Sequence, residues 1–267
     1  MYIDINTLAE LKERKQEIQT LFAASFDMPF NVADWNWFYL ENPSGPAYVS
    51  LFYDGGRLLG HYAVIPTTLN CNGKKIIAYR SMTTMVHPDG RGRGLFTDLA
   101  NRVYTMLQAD GASLVYGFPN ENSTPGFVKH LGWTVLPPDP IVDLIGSKLL
   151  ADQGLIDVLT EKADIEWDTQ NQAQAAWRTA RPETEFSVEP GLIVKHYDGI
   201  RNILHLDQNG LKSIHPTEVY RVLVPQHIRP NNVEKITVFN YQFGYRVFDQ
   251  SLTNSTIKRE LILSDVF

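Results

Sequence analysis

The chain has 267 residues, 43% of them hydrophobic and 20% charged, which is enough apolar material for one large domain or two small ones. Its net charge of −6 excludes a whole-body attraction to nucleic acid or anionic lipid, while leaving room for a local basic patch. A single cysteine, Cys71, excludes an intramolecular disulfide and a cysteine-based zinc cluster.

The opening residues, MYIDINTLAELKERKQEIQ, alternate charge with leucine and lack the apolar stretch of a signal peptide. No window approaches the ~18 apolar residues of a membrane span, so the expected compartment is the cytoplasm, with no membrane partner. Leu8, Leu11, Ile18, Leu21 and Phe22 fall at helical spacing behind Thr7, which predicts a first helix over 8–25. A shorter helix is expected over 31–40, carrying Trp35, Trp37, Phe38 and Tyr39, an aromatic face that reads as core or as the wall of an acceptor pocket. Asp54-Gly55-Gly56 and Asn72-Gly73 then mark two tight turns, predicting an antiparallel meander that ends in KKIIAYRSMTTMV.

HPDGRGRGLF follows. Leu95, Leu99, Val103 and Leu107 after it make one helical face, closed by Gly111. ASLVYGF reads as a buried strand, GFVKHLG as a short helix stopped by Gly132, and WTVL as another strand. Pro137, Pro138 and Pro140 read as a linker, which divides the chain into 1–136 and 137–267. The second part opens with a polar, helical-looking segment and continues in short strands. Two echoes tie it to the first: WNWFYLENPSGPAYVSLFYDG with AWRTARPETEFSVEPGLIVKHYDG, and LGWTVL with FGYRVF. With no counterpart of the glycine loop, it reads as a degenerate copy of the first half.

Glycines at 90, 92 and 94 remove side chains, so that backbone N–H groups can converge on an anion. The helix starting near Leu95 adds unpaired N–H groups and the positive end of its dipole, and Arg91 and Arg93 add charge at the rim. The device suits a pyrophosphate; a glycine-rich turn with solvated arginines is the alternative. A P-loop is excluded because its lysine and hydroxyl are missing, and a dinucleotide fingerprint because Thr97 stands where its last glycine belongs.

VHPDGRGRGLF resembles the acyl-CoA signature of the GNAT superfamily of N-acetyltransferases, written Arg/Gln-x-x-Gly-x-Gly/Ala after a strand ending in Val-x-Pro. Arg91 and Gly94 match it and Phe96 departs from it. NENSTPGFVKHLGW is similar to the family's later asparagine loop, helix and Gly-aromatic strand, with Asn122 at the place of the asparagine. The resemblance covers about residues 8–136. It implies an α/β (α+β) fold: a GNAT-like mixed central sheet flanked by helices, followed by a second GNAT-like half. It also implies acetyl-CoA as donor, with the pyrophosphate on Arg91, Gly92, Arg93, Gly94, Leu95 and Phe96. The pantetheine arm would pair with the strand edge at Met85 and Val86, and Asn122 would contact it. The implied reaction is direct attack on the thioester by a primary amine of a small molecule, such as an amino sugar.

The family's usual proton carriers are missing. The strand before the loop holds no carboxylate, Arg80 lies near the expected position, and Val128 replaces the tyrosine of the short helix. Glu121, His61, Tyr116 and the terminal carboxylate of Phe267 are the catalytic candidates, each with an ordinary structural role as the alternative. No histidine pair has ligand spacing, so no metal is expected. The second half would cap the cleft, shape the acceptor site or support a homodimer. The rival function is an acyl-CoA-binding or sensing module without turnover.

Overall fold

In the computed structural model, which describes residues 1–226, 228 and 236–264, glycines and asparagine at two tight turns build the first sheet. The N-terminus forms β1 (Tyr2–Ile5), a strand that its charge-rich sequence does not signal. Helix α1 (Leu8–Phe26) is capped by Thr7 and stopped by Asp27 at φ 55, and α2 (Val32–Tyr39) is capped by Asn31. Strands β2 (Tyr48–Asp54), β3 (Arg57–Cys71) and β4 (Lys74–Val86) follow as an antiparallel meander. Gly55 and Gly56 turn at φ 57 and 78, and Asn72 and Gly73 at φ 49 and 85, values that a two-residue hairpin requires.

The glycine loop leads into α3 (Leu95–Ala109), then β5 (Leu114–Gly117), α4 (Thr124–His130) and β6 (Thr134–Val135). Helices cover both faces of the sheet. Leu11, Ile18, Trp35 and Phe38 of α1 and α2 pack with Ala63, Ile65 and Met82 on one side. Leu99, Val103 and Leu107 of α3 pack with Tyr62, Val64 and Tyr79 on the other. The aromatic face of α2 is therefore core: Trp35, Trp37, Phe38 and Tyr39 are all buried.

After the prolines, β7 (Asp139–Ile145) leaves this sheet for a second one. Helix α5 (Gly146–Ala151) comes next, and the region expected to be one polar helix, 151–177, breaks into α6 (Gln153–Thr160), β8 (Ile165–Trp167) and α7 (Gln172–Arg178). Strands β9 (Glu185–Glu189), β10 (Leu192–Tyr197), β11 (Ile200–Leu206), β12 (Val219–Leu223), β13 (Ile236–Tyr241) and β14 (Gly244–Val247) complete the chain.

The two sheets share one plan. The first runs β1-β2-β3-β4-β5-β14-β6 and the second β13-β7-β12-β11-β10-β9. In each, an antiparallel meander leads into a single parallel pair, β4 with β5 and β11 with β12. The next strand of the first sheet, β14, comes from the second half and sits between β5 and β6, while in the second sheet β7 of the same half sits between β12 and β13. In addition, β8 extends β3. The break expected at 136/137 thus falls between β6 and β7, where the chain changes sheets; the second half builds its sheet alone, whereas the first sheet takes β8 and β14 from the second half.

The first echo also has a physical counterpart. Trp37 of α2 and Trp177 of α7 stack at 4.7 Å and 19°, and each indole N–H donates to the other's carbonyl, at 2.7 and 2.9 Å. Such reciprocity is the mark of a local two-fold relation. The second echo is different: LGWTVL and FGYRVF supply β6 and β14, which are neighbours in one sheet and not equivalents in two. The β11–β12 connection holds only the short 3-10 turn Gly210–Ser213, so the second parallel pair has neither a crossover α-helix nor a glycine loop. No helix among the described residues is long and apolar enough to cross a membrane.

Candidate functional site

Strands β4 and β5 pair only from Ala78↔Leu114 to Arg80↔Tyr116 and then separate. Beyond that point β4 is irregular. Ala63 faces Met82 and His61 faces Met85, so one residue of β3 spans two residues of β4, which is a β-bulge. Within the bulge Thr83 has φ 45, a left-handed conformation that a β-branched residue rarely adopts and that must be held from outside. Two side chains hold it. The Tyr39 hydroxyl lies 2.5 Å from Thr83 Oγ1, and His61 Nδ1 lies 2.8 Å from the Thr83 carbonyl.

A carbonyl only accepts, so His61 carries its proton on Nδ1, leaving Nε2 bare; that atom is buried and has no hydrogen-bond partner among the described residues. Burial pushes the imidazole down to about 4, against the opposing bond to Thr83, so it is neutral at pH 7. His61 is fully buried and lines neither cavity described below.

A cleft of about 640 Å³ opens where the strands part. Of the residues expected to hold the donor, Met85, Val86, Arg91, Phe96 and Asn122 line it. Gly92 and Gly94 lie in the turn at φ 75 and 73, where any side chain would be strained. The amides of Gly92 to Phe96 make no hydrogen bond among the described residues, which leaves a set of donors at the start of α3. Arg93 is turned elsewhere. It pairs with Asp54 at 2.8 Å and lies over the Phe52 ring at 5.1 Å, so Arg91 supplies the cleft's cationic lining. Leu95 is buried in the α3 core. Phe96 packs edge-on against Phe127 at 5.0 Å and over Gly126, where a Cβ would come within 2.6 Å of its ring. The bulky residue at this place is thus accommodated by α4, and the cleft stays open.

The loop before α4 is organised by Asn120, whose Oδ1 accepts the amides of Asn122 and Ser123 at 3.1 and 3.0 Å. Asn120, Ser123, Thr84 and Phe26 line both the cleft and a second cavity of about 420 Å³. That cavity continues along the separated strands toward α1, past Met82, Phe118 and Phe127 to Phe22 and Met28, and no ionisable side chain lines it. Sequence reasoning did not select Asn120, Ser123, Thr84 or Phe26. Asn120 did carry a signal, as an asparagine three residues before a serine at a helix start.

The catalytic candidates scatter. Tyr116 is 1% exposed and packs with Phe243 at 5.9 Å, away from both cavities. Glu121 is exposed and lines neither cavity. Phe267 lies outside the described residues. Val128, at the place of the family tyrosine, is 48% exposed.

Residues 9–136 match the profile of a family described as acetyltransferase (GNAT) domain. No curated protein matches the chain significantly. Among solved structures, a GCN5-related N-acetyltransferase from Kribbella flavida superposes with a TM-score of 0.64 at 12% identity, over 93% of this chain and 72% of that one. A tandem GNAT protein from the clavulanic acid biosynthesis pathway gives 0.52 at 11% identity, over 92% of this chain and 98% of that one. A glucosamine N-acetyltransferase region of a fungal β-N-acetylglucosaminidase gives 0.56 at 13% identity, over 92% of this chain and 38% of that one. At such identities the likeness is one of fold.

Proposed function

We propose, from the premise that residues 9–136 are a GNAT acetyltransferase domain, that this acyl-CoA-dependent N-acyltransferase moves an acetyl group from acetyl-CoA to a primary amine of a small molecule. The observation that carries the donor assignment is the run of unbonded amides from Gly92 to Phe96, in a turn whose two ends, Arg91 and Phe96, line an open cleft between parted strands. In this reading those amides hold the pyrophosphate. The β4 edge at Met85 and Val86 pairs with the pantetheine arm as an added strand, and Asn122 contacts it. The bulge at Thr83 then sets where that edge begins. Residues 1–136 carry the donor cleft, and 137–267 complete its sheet through β8 and β14.

An alkylamine has a pKa near ~10 and must lose a proton to attack. Because His61 and Tyr116 are buried away from the cavities, we assign neither to proton transfer. Among the described residues no carboxylate or imidazole lines either cavity, and the open cleft gives the ammonium access to water as proton acceptor. The leaving thiolate, with a thiol pKa near ~8.5, is protonated by water without a dedicated acid. An amino sugar is the acceptor expected from family habit; the cavity chemistry taken up below favours a different body for the amine.

Calorimetry with acetyl-CoA, followed by thiol release over an amine panel, tests the reading. Gly94→Glu puts a carboxylate into the amide cradle and is expected to abolish binding while the protein stays folded; unchanged affinity refutes the donor site. Binding without thiol release from any amine supports a sensing module instead.

A further inference from the structure

We infer that the acceptor carries its primary amine on an apolar, ring-sized body, as an arylalkylamine does, and not on a sugar or a polyamine. The inference rests on the acetyl-transfer reading and deepens it. The 420 Å³ cavity shares Thr84 and Asn120 with the donor cleft, so a molecule seated there presents its amine to the region where the two spaces meet. Most of its wall is apolar: Phe22, Phe26 and Met28 from the end of α1 and beyond, Met82 from β4, and Phe118 and Phe127 from the far side. Phe26 and Met28 are 48% and 56% exposed, so a ring seated in the cavity would take their apolar surface out of water.

Several polar atoms of the same cavity are already engaged within the protein. Thr83 Oγ1 is bonded to Tyr39, Ser123 Oγ accepts the Asn120 amide at 3.0 Å, and Asn120 Oδ1 accepts two amides. A sugar ring would have to satisfy its several hydroxyls largely on the Thr84 hydroxyl and the Asn120 Nδ2, and those left over would lose water without a replacement. A second ammonium would be worse placed, because no carboxylate lines the cavity to receive it. A hydrocarbon ring has no such requirement and gains by leaving water.

The experiment compares kcat/KM by thiol release for 2-phenylethylamine, ethylamine, glucosamine and spermidine with acetyl-CoA. Phenylethylamine is expected to exceed ethylamine by about 20-fold, on the order of 2 kcal/mol for the ring surface buried. Glucosamine and spermidine are expected at or below ethylamine. Met28→Asp, at an exposed position, is expected to raise the spermidine-to-phenylethylamine ratio at least tenfold by supplying the missing counter-charge. Preference for glucosamine or spermidine, or equal use of phenylethylamine and ethylamine, overturns the inference and leaves acetyl transfer standing. No thiol release with any of the four overturns both.

Discussion

Replacing His61 tests whether the imidazole serves as a strut for the bulge, and pH separates that role from mere packing. In His61→Asn the side-chain amide can still donate to the Thr83 carbonyl; in His61→Leu that carbonyl is left buried without its partner, at a cost of about 1–3 kcal/mol. The left-handed Thr83 stores a further ~1–3 kcal/mol that only its two holders keep in place. His61→Leu is therefore expected to relax the bulge and weaken acetyl-CoA binding by tenfold or more, and His61→Asn to recover most of it. The pH dependence has a definite sign. His61 is held neutral in the fold down to about 4, whereas the unfolded chain takes up its proton below about 6.5. Its contribution is full above pH 6.5 and is lost as pH falls from there toward 4, amounting to about 3 kcal/mol over the window. Urea unfolding at pH 7.5, 6.0, 5.0 and 4.5 reads this directly as the difference between wild type and His61→Asn, in which other titrating groups cancel. A difference that does not change with pH would refute the buried, neutral imidazole. Equal donor affinity in His61→Leu and wild type would refute the strut.

Arg91→Ala should weaken acetyl-CoA about tenfold, on the order of 1.4 kcal/mol, while Arg93→Ala stays within twofold because Arg93 is already paired with Asp54; calorimetry gives both values. With an alkylamine acceptor, kcat/KM should rise about tenfold per pH unit from 6.5 toward 9, since water is the proton acceptor, and a plateau between pH 7 and 8 would reveal a base on the protein. Trp177→Ala should cost about 3–5 kcal/mol, and because the first sheet contains two strands of the second half, calorimetric melting should remain a single transition.

The glycine turn and the helix start behind it were legible because their causes are local. Glycine at 92 and 94 reports a backbone that needs positive φ, and the leucine periodicity after it reports a helix start facing that turn. The fate of Arg93 was not legible, since its partner Asp54 lies 39 residues away across a hairpin. The same holds for His61, whose strand position was compatible with facing the cleft until the register placed it against Thr83. The echo of LGWTVL in FGYRVF was real as a pattern and misleading as a map, because similar short strands can pair side by side as readily as they can repeat.

The sequence by itself determined the order of helices and strands in the first half, the glycine turn before α3 and the likeness of residues 9–136 to a GNAT domain, all of which follow from residues close together in the chain. Only the tertiary structure decided that the second half lends β8 and β14 to the first sheet, that a bulge at Thr83 is propped by Tyr39 and His61, and that the cavity beside the cleft is walled mainly by aromatic and methionine side chains. Those outcomes depend on which distant backbones compete for the same hydrogen bonds and which side chains share one buried volume, and neither is a property of neighbouring residues.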